Sequence, residues 1–168
     1  MDVTASVDEE DDMETTRTEL PTVTVAAVRA PVPMSGLRDF YDTAYTRVAE
    51  AAAREGWAIA GPAFGWYRGM PTDTVDVTAG FPVDGVAPGT SSGGVDVLDL
   101  PGGDALVLTH TGSYDALPEA WARLEQDSAA RGVQARGDFW EEYVTEPSPG
   151  GDPEANVTRL VLPLRAGA

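Results

Sequence analysis

The sequence predicts an α+β domain in which an antiparallel sheet carries two helices on one face. Two stretches place apolar residues at the spacing typical of amphipathic helices. Several short segments alternate apolar and polar residues, as half-buried strands do. The order of these elements occurs twice along the 168-residue chain, which indicates a duplicated β-α-β-β unit.

The first unit begins with a strand over 23–27, which we expect Pro31 and Pro33 to end. Ser35 can cap the helix that follows, and Gly56 is a typical helix end. The apolar stripe of this helix consists of Leu37, Phe40, Tyr41, Ala44, Val48, Ala51 and Ala52. A connector rich in Gly, Pro and Ser, residues 84–94, leads to the second unit.

The second helix is capped by Ser113 or Asp115, has Pro118 in its first turn and ends at Gly132. Its apolar stripe consists of Leu117, Ala120, Trp121 and Leu124. The remaining strands are predicted over 63–67, 76–83, 95–100, 105–111, 139–144 and 157–164.

The two units also match residue by residue. Residues 61–71 align without a gap with 137–147, and both copies have glycine first, tyrosine seventh and proline last. Each copy is followed by a strand that ends in an apolar residue, a proline and another apolar residue. We therefore interpret the chain as an internal duplication.

Composition excludes several classes of function. There is no cysteine and a single histidine, His110, so we expect no metal, no cofactor and no thiol chemistry. We expect His110 to have a structural role. The net charge is −17 and every basic residue is arginine, so direct nucleic-acid binding is not expected. No apolar run is long enough to span a membrane, and the start lacks the features of a secretory signal, so we expect a cytoplasmic protein.

Residues 1–20 contain eight acidic residues and one arginine, with few large apolar side chains. Such a composition is typical of a disordered acidic tail, and we expect the folded domain to cover residues 21–168. A protein partner of the acidic surface is one expectation. The acidic, lysine-free composition is also typical either of a salt-adapted host or of a high-GC genome.

Glu141 is the candidate site residue. Side chains alternate along a strand, so Phe139, Glu141 and Tyr143 share one face, and Trp140 and Glu142 share the other. Either these glutamates are solvated edge residues, or Glu141 lies on the floor of a groove walled by tyrosines. A groove of that kind suits cationic or polarised aromatic ligands.

Other aromatic residues are candidates for ligand contact or for the core. Tyr67, Tyr114 and Tyr143 have polar tips that suit a groove. Trp66 and Trp140 are expected to pack beneath the helices, with a groove role left open for both. Core positions are predicted for Trp57, Phe81 and Trp121.

The segment 141–147, Glu-Glu-Tyr-Val-Thr-Glu-Pro, resembles the Glu-x-Tyr-x-x-acid-Pro motif of GyrI-like, or AraC-type effector-binding, domains. Gly61-Pro62 with Tyr67, the strand ending at Pro82-Val83, and Gly112-Ser113-Tyr114 before Leu117 are similar to further landmarks of that family, over about residues 22–165. The resemblance implies duplicated β-α-β-β units with a ligand groove on the sheet face away from the helices. It also implies that Glu141 is the counterpart of a ligand-contacting glutamate in multidrug-sensing regulators.

Three functions follow from these observations. The first is a stand-alone small-molecule binding domain without a DNA-binding module, for a hydrophobic, aromatic or cationic ligand. The alternative, which the resemblance implies, is a hydrolase of cyclopropane-bearing or similar electrophiles, with water activated by Glu141 as the catalytic residue. The third is inhibition of DNA gyrase by an acidic surface that mimics DNA. We favour the binding domain over the hydrolase.

Overall fold

A computed structural model describes residues 15–69, 72–113, 116–145 and 156–165. Two helices, α1 (Leu37–Glu55) and α2 (Leu117–Arg131), lie among ten strands. The strands are β1 (Thr15–Leu20), β2 (Val23–Pro33), β3 (Ala58–Ile59), β4 (Ala63–Tyr67), β5 (Thr74–Asp84), β6 (Ser91–Ser92), β7 (Val95–Leu100), β8 (Gly103–Thr111), β9 (Phe139–Tyr143) and β10 (Val157–Pro163). The predicted α+β class is confirmed.

The strands of the described residues pair in antiparallel fashion in the order β1-β8-β10-β9-β4-β5-β2-β7-β6, and β3 pairs with β5. Strands β4 and β9, the segments that match in the sequence, are neighbours at the centre of the sheet. Their register pairs Ala63 with Tyr143, Gly65 with Glu141, and Tyr67 with Phe139. The register is therefore symmetric about the Gly65–Glu141 pair.

The helices lie on one face of the sheet, each over the outer strands of its own half. Helix α1 packs mainly on β2 and β5, and α2 packs on β8. Both helices end as predicted, because Gly56 and Gly132 adopt the left-handed conformation that glycine tolerates best. Ser35 does not cap α1; it lies in a 3-10 turn (Met34–Gly36), and Gly36 is the residue before the helix. Neither helix is long and apolar enough to cross a membrane.

Each helix covers its own apolar cluster. The cluster between α1 and the sheet includes Val48 of the helix with Val28 and Ala79 of the strands. The cluster between α2 and the sheet includes Leu124 of the helix with Leu108 and Leu160 of the strands. The opposite face of the sheet is also packed with apolar side chains. The cluster on that face contains Val25, Ala27, Phe64, Trp66, Leu100, Ala105, Trp140 and Val161. Trp66 and Trp140 thus pack on the face away from the helices, in contrast to the expectation that they lie beneath them.

The acidic segment is partly folded. Residues 15–20, assigned from composition to a disordered tail, form β1 and pair with β8. Arg17 donates to Asp104 of β8, with an Nη2–Oδ2 distance of 2.5 Å, and Arg131 Nη2 donates to the Thr15 carbonyl at 3.0 Å. These partners are distant in sequence, which is why composition alone missed the strand. Residues 1–14 lie outside the described residues.

Strand β2 extends beyond the predicted 23–27, through Pro31, and ends at Pro33. Pro31 pairs with Asp76 and Pro33 with Thr74 of β5. Strand β7 pairs only with Val23–Ala27, so beyond Ala27 the described residues give β2 a paired neighbour on one side only. Because proline lacks an N–H, it is tolerated where one side of a strand has no ladder to complete.

Candidate functional site

A cavity of about 1270 Å³ opens between α1, α2 and the central strands, on the face that carries the helices. Each helix is centred over outer strands, so the space above β4 and β9 is left between them. Its walls include Leu37, Tyr41, Tyr45, Tyr67, Leu117, Glu141 and Tyr143.

The location corrects the sequence-based expectation. The resemblance implied a groove on the sheet face away from the helices, but Glu141 and Tyr143 face the helices and line this cavity. The expectation assumed that the helices cover their whole face, where a carboxylate would be costly. Instead they are separated over the middle of the sheet, and the carboxylate lies in that gap.

Glu141 is buried, with 8% of its surface exposed, and its carboxylate is held by neutral donors. The Tyr143 hydroxyl donates to Oε1 at 2.6 Å, and Trp121 Nε1 donates to Oε2 at 2.7 Å. Among the described residues no arginine forms an ion pair with Glu141. The carboxylate is therefore oriented by hydrogen bonds, but its charge has no cationic partner there.

Opposite Glu141, the absence of a side chain on Gly65 makes room for Tyr41 of α1. A Cβ atom built on Gly65 would lie 2.6 Å from the Tyr41 hydroxyl oxygen and 3.0 Å from its ring carbons. The Tyr41 hydroxyl is hydrogen-bonded to that of Tyr67. Gly65 thus permits α1 to place a tyrosine against the strand beside the carboxylate.

The tyrosines around Glu141 stay protonated at neutral pH. Burial, followed by the negative charge of Glu141, raises the pKa of Tyr67 and of Tyr143 above the ordinary tyrosine value. Burial and then the neighbouring Tyr67 raise the pKa of Tyr41. Among the described lining residues, the cavity therefore presents the protonated hydroxyl groups of Tyr41, Tyr67 and Tyr143 beside one buried carboxylate.

Aromatic rings continue along the walls. Tyr41 stacks on Tyr45, with ring centroids 5.8 Å apart and planes at 6°, and meets Tyr143 edge-on. Tyr45 lies 5.5 Å from Phe81, which the sequence assigned to the core but which lines the cavity. Phe139 lies behind this wall, where it stacks on Tyr67 at 5.1 Å.

Trp66 and Trp140 do not line the cavity. Trp66 Nε1 donates to Asp138 at 2.8 Å, and Trp140 Nε1 donates to Glu142 at 2.9 Å. Both acids have arginine partners: Arg136 lies 2.7 Å from Asp138, and Arg159 lies 2.5 Å from Glu142. Burial alone would raise the pKa of Asp138, but the hydrogen bonds from Arg136 and Trp66 outweigh it and lower that pKa.

Of the other sequence candidates, the structure describes His110 but not Tyr114. Tyr114 lies outside the described residues, as do the last two positions of the 141–147 motif. His110 is buried, and its Nε2 atom lies 3.2 Å from the Ser113 carbonyl oxygen. Within the described ranges no group of acidic residues and histidine could hold a metal ion.

The sequence interpretation missed Tyr41, Tyr45 and Trp121 as site residues. Tyr41 and Trp121 were assigned to apolar helix stripes and hence to the core, and Tyr45 lies outside the predicted stripe. The repeat contained a signal that could have identified two of them. Tyr41 and Trp121 are 80 residues apart, as are Leu37 and Leu117, and all four lie at the cavity or bond to Glu141. Aligning the helices as well as the strands would have placed an aromatic pair above the Gly65–Glu141 pair.

An antiparallel sheet with two helices on one face, and a cavity between the helices, defines a two-helix α+β domain. The chain belongs to the GyrI-like small molecule binding domain family, whose model matches residues 13–165. This match confirms the resemblance drawn from the sequence motifs.

Solved structures share the fold. The EcmrR C-terminal domain is 19% identical, with a TM-score of 0.75 over 90% of this chain and 97% of that chain. A hydrolase from Listeria innocua is 13% identical (TM-score 0.66; 96% and 97% covered). SAV2435 bound to tetraphenylphosphonium is 12% identical (TM-score 0.63; 91% and 94% covered). At these identities the likeness shows the fold alone. No curated protein sequence matches the chain.

Proposed function

We propose that the chain binds a small aromatic cation in the cavity, with Glu141 as its counter-charge. The observation that carries the proposal is the buried carboxylate with only neutral donors around it. A buried charge is costly unless it is paired. Asp138 and Glu142 both have arginine partners, whereas Glu141 has none among the described residues. A bound cation would supply the missing opposite charge.

The walls support an aromatic or quaternary cation. Tyr41, Tyr45, Tyr67 and Tyr143 line the cavity, and the faces of aromatic rings attract cations. The cavity volume of about 1270 Å³ exceeds the roughly 300–1,000 Å³ of common small-molecule sites. Arg38 and Asp42 of α1 lie at the exposed rim, and their opposite charges offset each other. The negative charge in the interior of the cavity therefore comes from Glu141.

A titration with tetraphenylphosphonium, the ligand bound to SAV2435, tests the proposal. We expect quenching of tryptophan fluorescence, because Trp121 bonds directly to Glu141. Glu141→Gln should weaken binding at least tenfold, about 1.4 kcal/mol. Glu142→Gln is the matched control, since it removes a neighbouring charge on the opposite face of the strand. Equal affinity of the wild type and Glu141→Gln would overturn the proposal.

The duplication inferred from the sequence is part of this proposal. The symmetric register about Gly65 and Glu141 supports it, as does the strand order, in which β1-β8-β10-β9 mirrors β7-β2-β5-β4. Each half would then contribute one wall. The two halves differ at the centre, where one provides a carboxylate and the other provides space for Tyr41.

The arrangement of Tyr143 on Glu141 favours hydrolysis as a second candidate function. The Tyr143 hydroxyl donates to Glu141 and so orients the carboxylate as a base. The carboxylate can accept a proton from water while the water oxygen bonds to a ring carbon and a ring carbon–carbon bond breaks. The electron pair of that bond moves to the electron-accepting group conjugated with the ring, which takes up the proton in turn. The test is incubation with a cyclopropane-bearing alkylating agent and detection of the ring-opened product. A product formed by the wild type and not by Glu141→Gln would establish this activity, and the absence of product would dismiss it.

A further inference from the structure

The cavity is a long groove along α1. Its lining residues recur at every fourth position of the helix: Leu37, Tyr41, Tyr45 and Ala49. At a rise of 1.5 Å per residue, the distance from Leu37 to Ala49 is about 18 Å. The ring of Tyr45 lies beside Phe81, between the Glu141 end of the groove and the Ala49 end.

Polar and apolar groups are segregated along the groove. Glu141, Arg38 and Asp42 line the end beside Leu37 and Tyr41. The register places Ala63 and Tyr143 on the side of the Gly65–Glu141 pair away from Tyr67, and the Tyr143 hydroxyl is donated to Glu141. Apart from the tyrosines, the described lining residues from β3, β4 and β5 and those beside these strands carry neither charge nor a polar side chain: Ile59, Gly61, Pro62, Ala63, Phe81 and Val144. Tyr45 turns its hydroxyl toward the Phe64 carbonyl of β4, to which it donates at 3.0 Å. This half of the groove is therefore suited to hydrocarbon.

The apolar end has an exposed lip. Ile59 is 45% exposed and Val144 is 42% exposed, and they are two of the three large hydrophobic residues left exposed among the described residues. Both line the cavity, whereas the third, Met34, does not. Apolar surface gains free energy when a ligand removes it from water.

We propose that the groove binds an amphiphilic cation, with its charged head beside Glu141 and an unbranched hydrocarbon chain along α1 to the lip of Ile59 and Val144. This inference rests on the proposed function, because it uses the same carboxylate for the head group. It adds that chain length determines affinity.

Alkyltrimethylammonium ions of increasing chain length, each below its micelle concentration, test the inference by calorimetry. We expect the Kd to fall about threefold to fourfold per added methylene while the chain remains within the groove. The double variant Ile59→Ser/Val144→Ser should lose this gain for long chains and keep the affinity for the shortest ion. Met34→Ser is the matched control, because it removes an equally exposed hydrophobic residue away from the groove.

The outcomes separate the two proposals. The amphiphile proposal would be overturned by a Kd that does not change with chain length, or by a chain-length effect that is as large in Ile59→Ser/Val144→Ser as in the wild type. In either case the proposed function still holds if binding of the short ion depends on Glu141. Binding of the short ion that is unaffected by Glu141→Gln would overturn the proposed function itself. Urea unfolding of each variant verifies the fold, and we expect little change because Ile59 and Val144 are exposed.

Discussion

Gly65 and Glu141 face each other at the centre of the sheet, and the ring of Tyr41 fills the space that a side chain on Gly65 would occupy. The sheet register is symmetric at this pair, but its chemistry is not. One strand contributes a buried charge, and the other contributes room for an aromatic ring from α1. The position of the carboxylate relative to the tyrosines follows from this asymmetry.

Gly65→Ala tests the close approach of Tyr41. Alanine is normally better than glycine in a strand, but here its Cβ would lie 2.6 Å from the Tyr41 hydroxyl oxygen. We expect a loss of about 1–3 kcal/mol in the free energy of unfolding. The loss should be smaller in a Tyr41→Phe background, which removes the nearest atom. Urea unfolding of the wild type, the two single variants and the double variant measures the coupling between the two substitutions. If their effects on the free energy of unfolding simply add, the contact between Gly65 and Tyr41 is contradicted.

Trp121→Phe tests the orientation of the carboxylate. The substitution removes the 2.7 Å hydrogen bond to Glu141 but keeps a ring that can pack edge-on against Phe139. A hydrogen bond to a charged group contributes about 1.5–3 kcal/mol, so we expect a decrease of that size in the free energy of unfolding. In a Glu141→Gln background the same substitution should cost less, because the acceptor is then neutral. An equal cost in both backgrounds would show that only the packing of Trp121 matters.

Tyr143→Phe tests the alkaline behaviour of the site. Because burial and Glu141 raise the pKa of Tyr143, the native state keeps a proton that the unfolded chain loses above pH of about 10. The stabilisation is therefore complete below that pH and is lost as pH rises through the native pKa. Between the pKa of the unfolded chain and that of the native state, each such tyrosine lowers the free energy of unfolding by about 1.4 kcal/mol per pH unit.

We expect Tyr143→Phe to be less stable than the wild type at pH 7, because Glu141 loses a donor. The gap should narrow above pH of about 10, where the wild type declines more steeply. Denaturant unfolding at pH 7 to 11 measures both effects. Parallel stability curves for the two proteins across this range would contradict a raised pKa at Tyr143.

Local rules predicted much of the fold. The strands over 63–67 and 95–100 coincide with β4 and β7, and Gly56 and Gly132 end their helices as expected. Strand alternation placed Glu141 and Tyr143 on one face of β9, and the structure confirms that they share it. These features depend on near neighbours in sequence, through glycine conformation and the period of two in a strand.

Features that depend on distant partners were not predictable in this way. Strand β1 pairs with β8, which is about 90 residues away in the sequence. Its acidic composition is typical of a disordered segment, so the strand was not predicted. The face on which the cavity lies depends on how far apart α1 and α2 pack, which no local pattern records. Trp121 was assigned to the core because its helix position is apolar, yet its indole N–H reaches a carboxylate on β9.

The most direct test of the account compares an aromatic cation with a neutral molecule of the same shape, in the wild type, Glu141→Gln and Glu142→Gln. If the buried carboxylate is the counter-charge, the wild type and Glu142→Gln should prefer the cation by at least tenfold, about 1.4 kcal/mol. Glu141→Gln should bind both molecules with similar Kd. A preference for the cation that survives in Glu141→Gln would contradict the central claim.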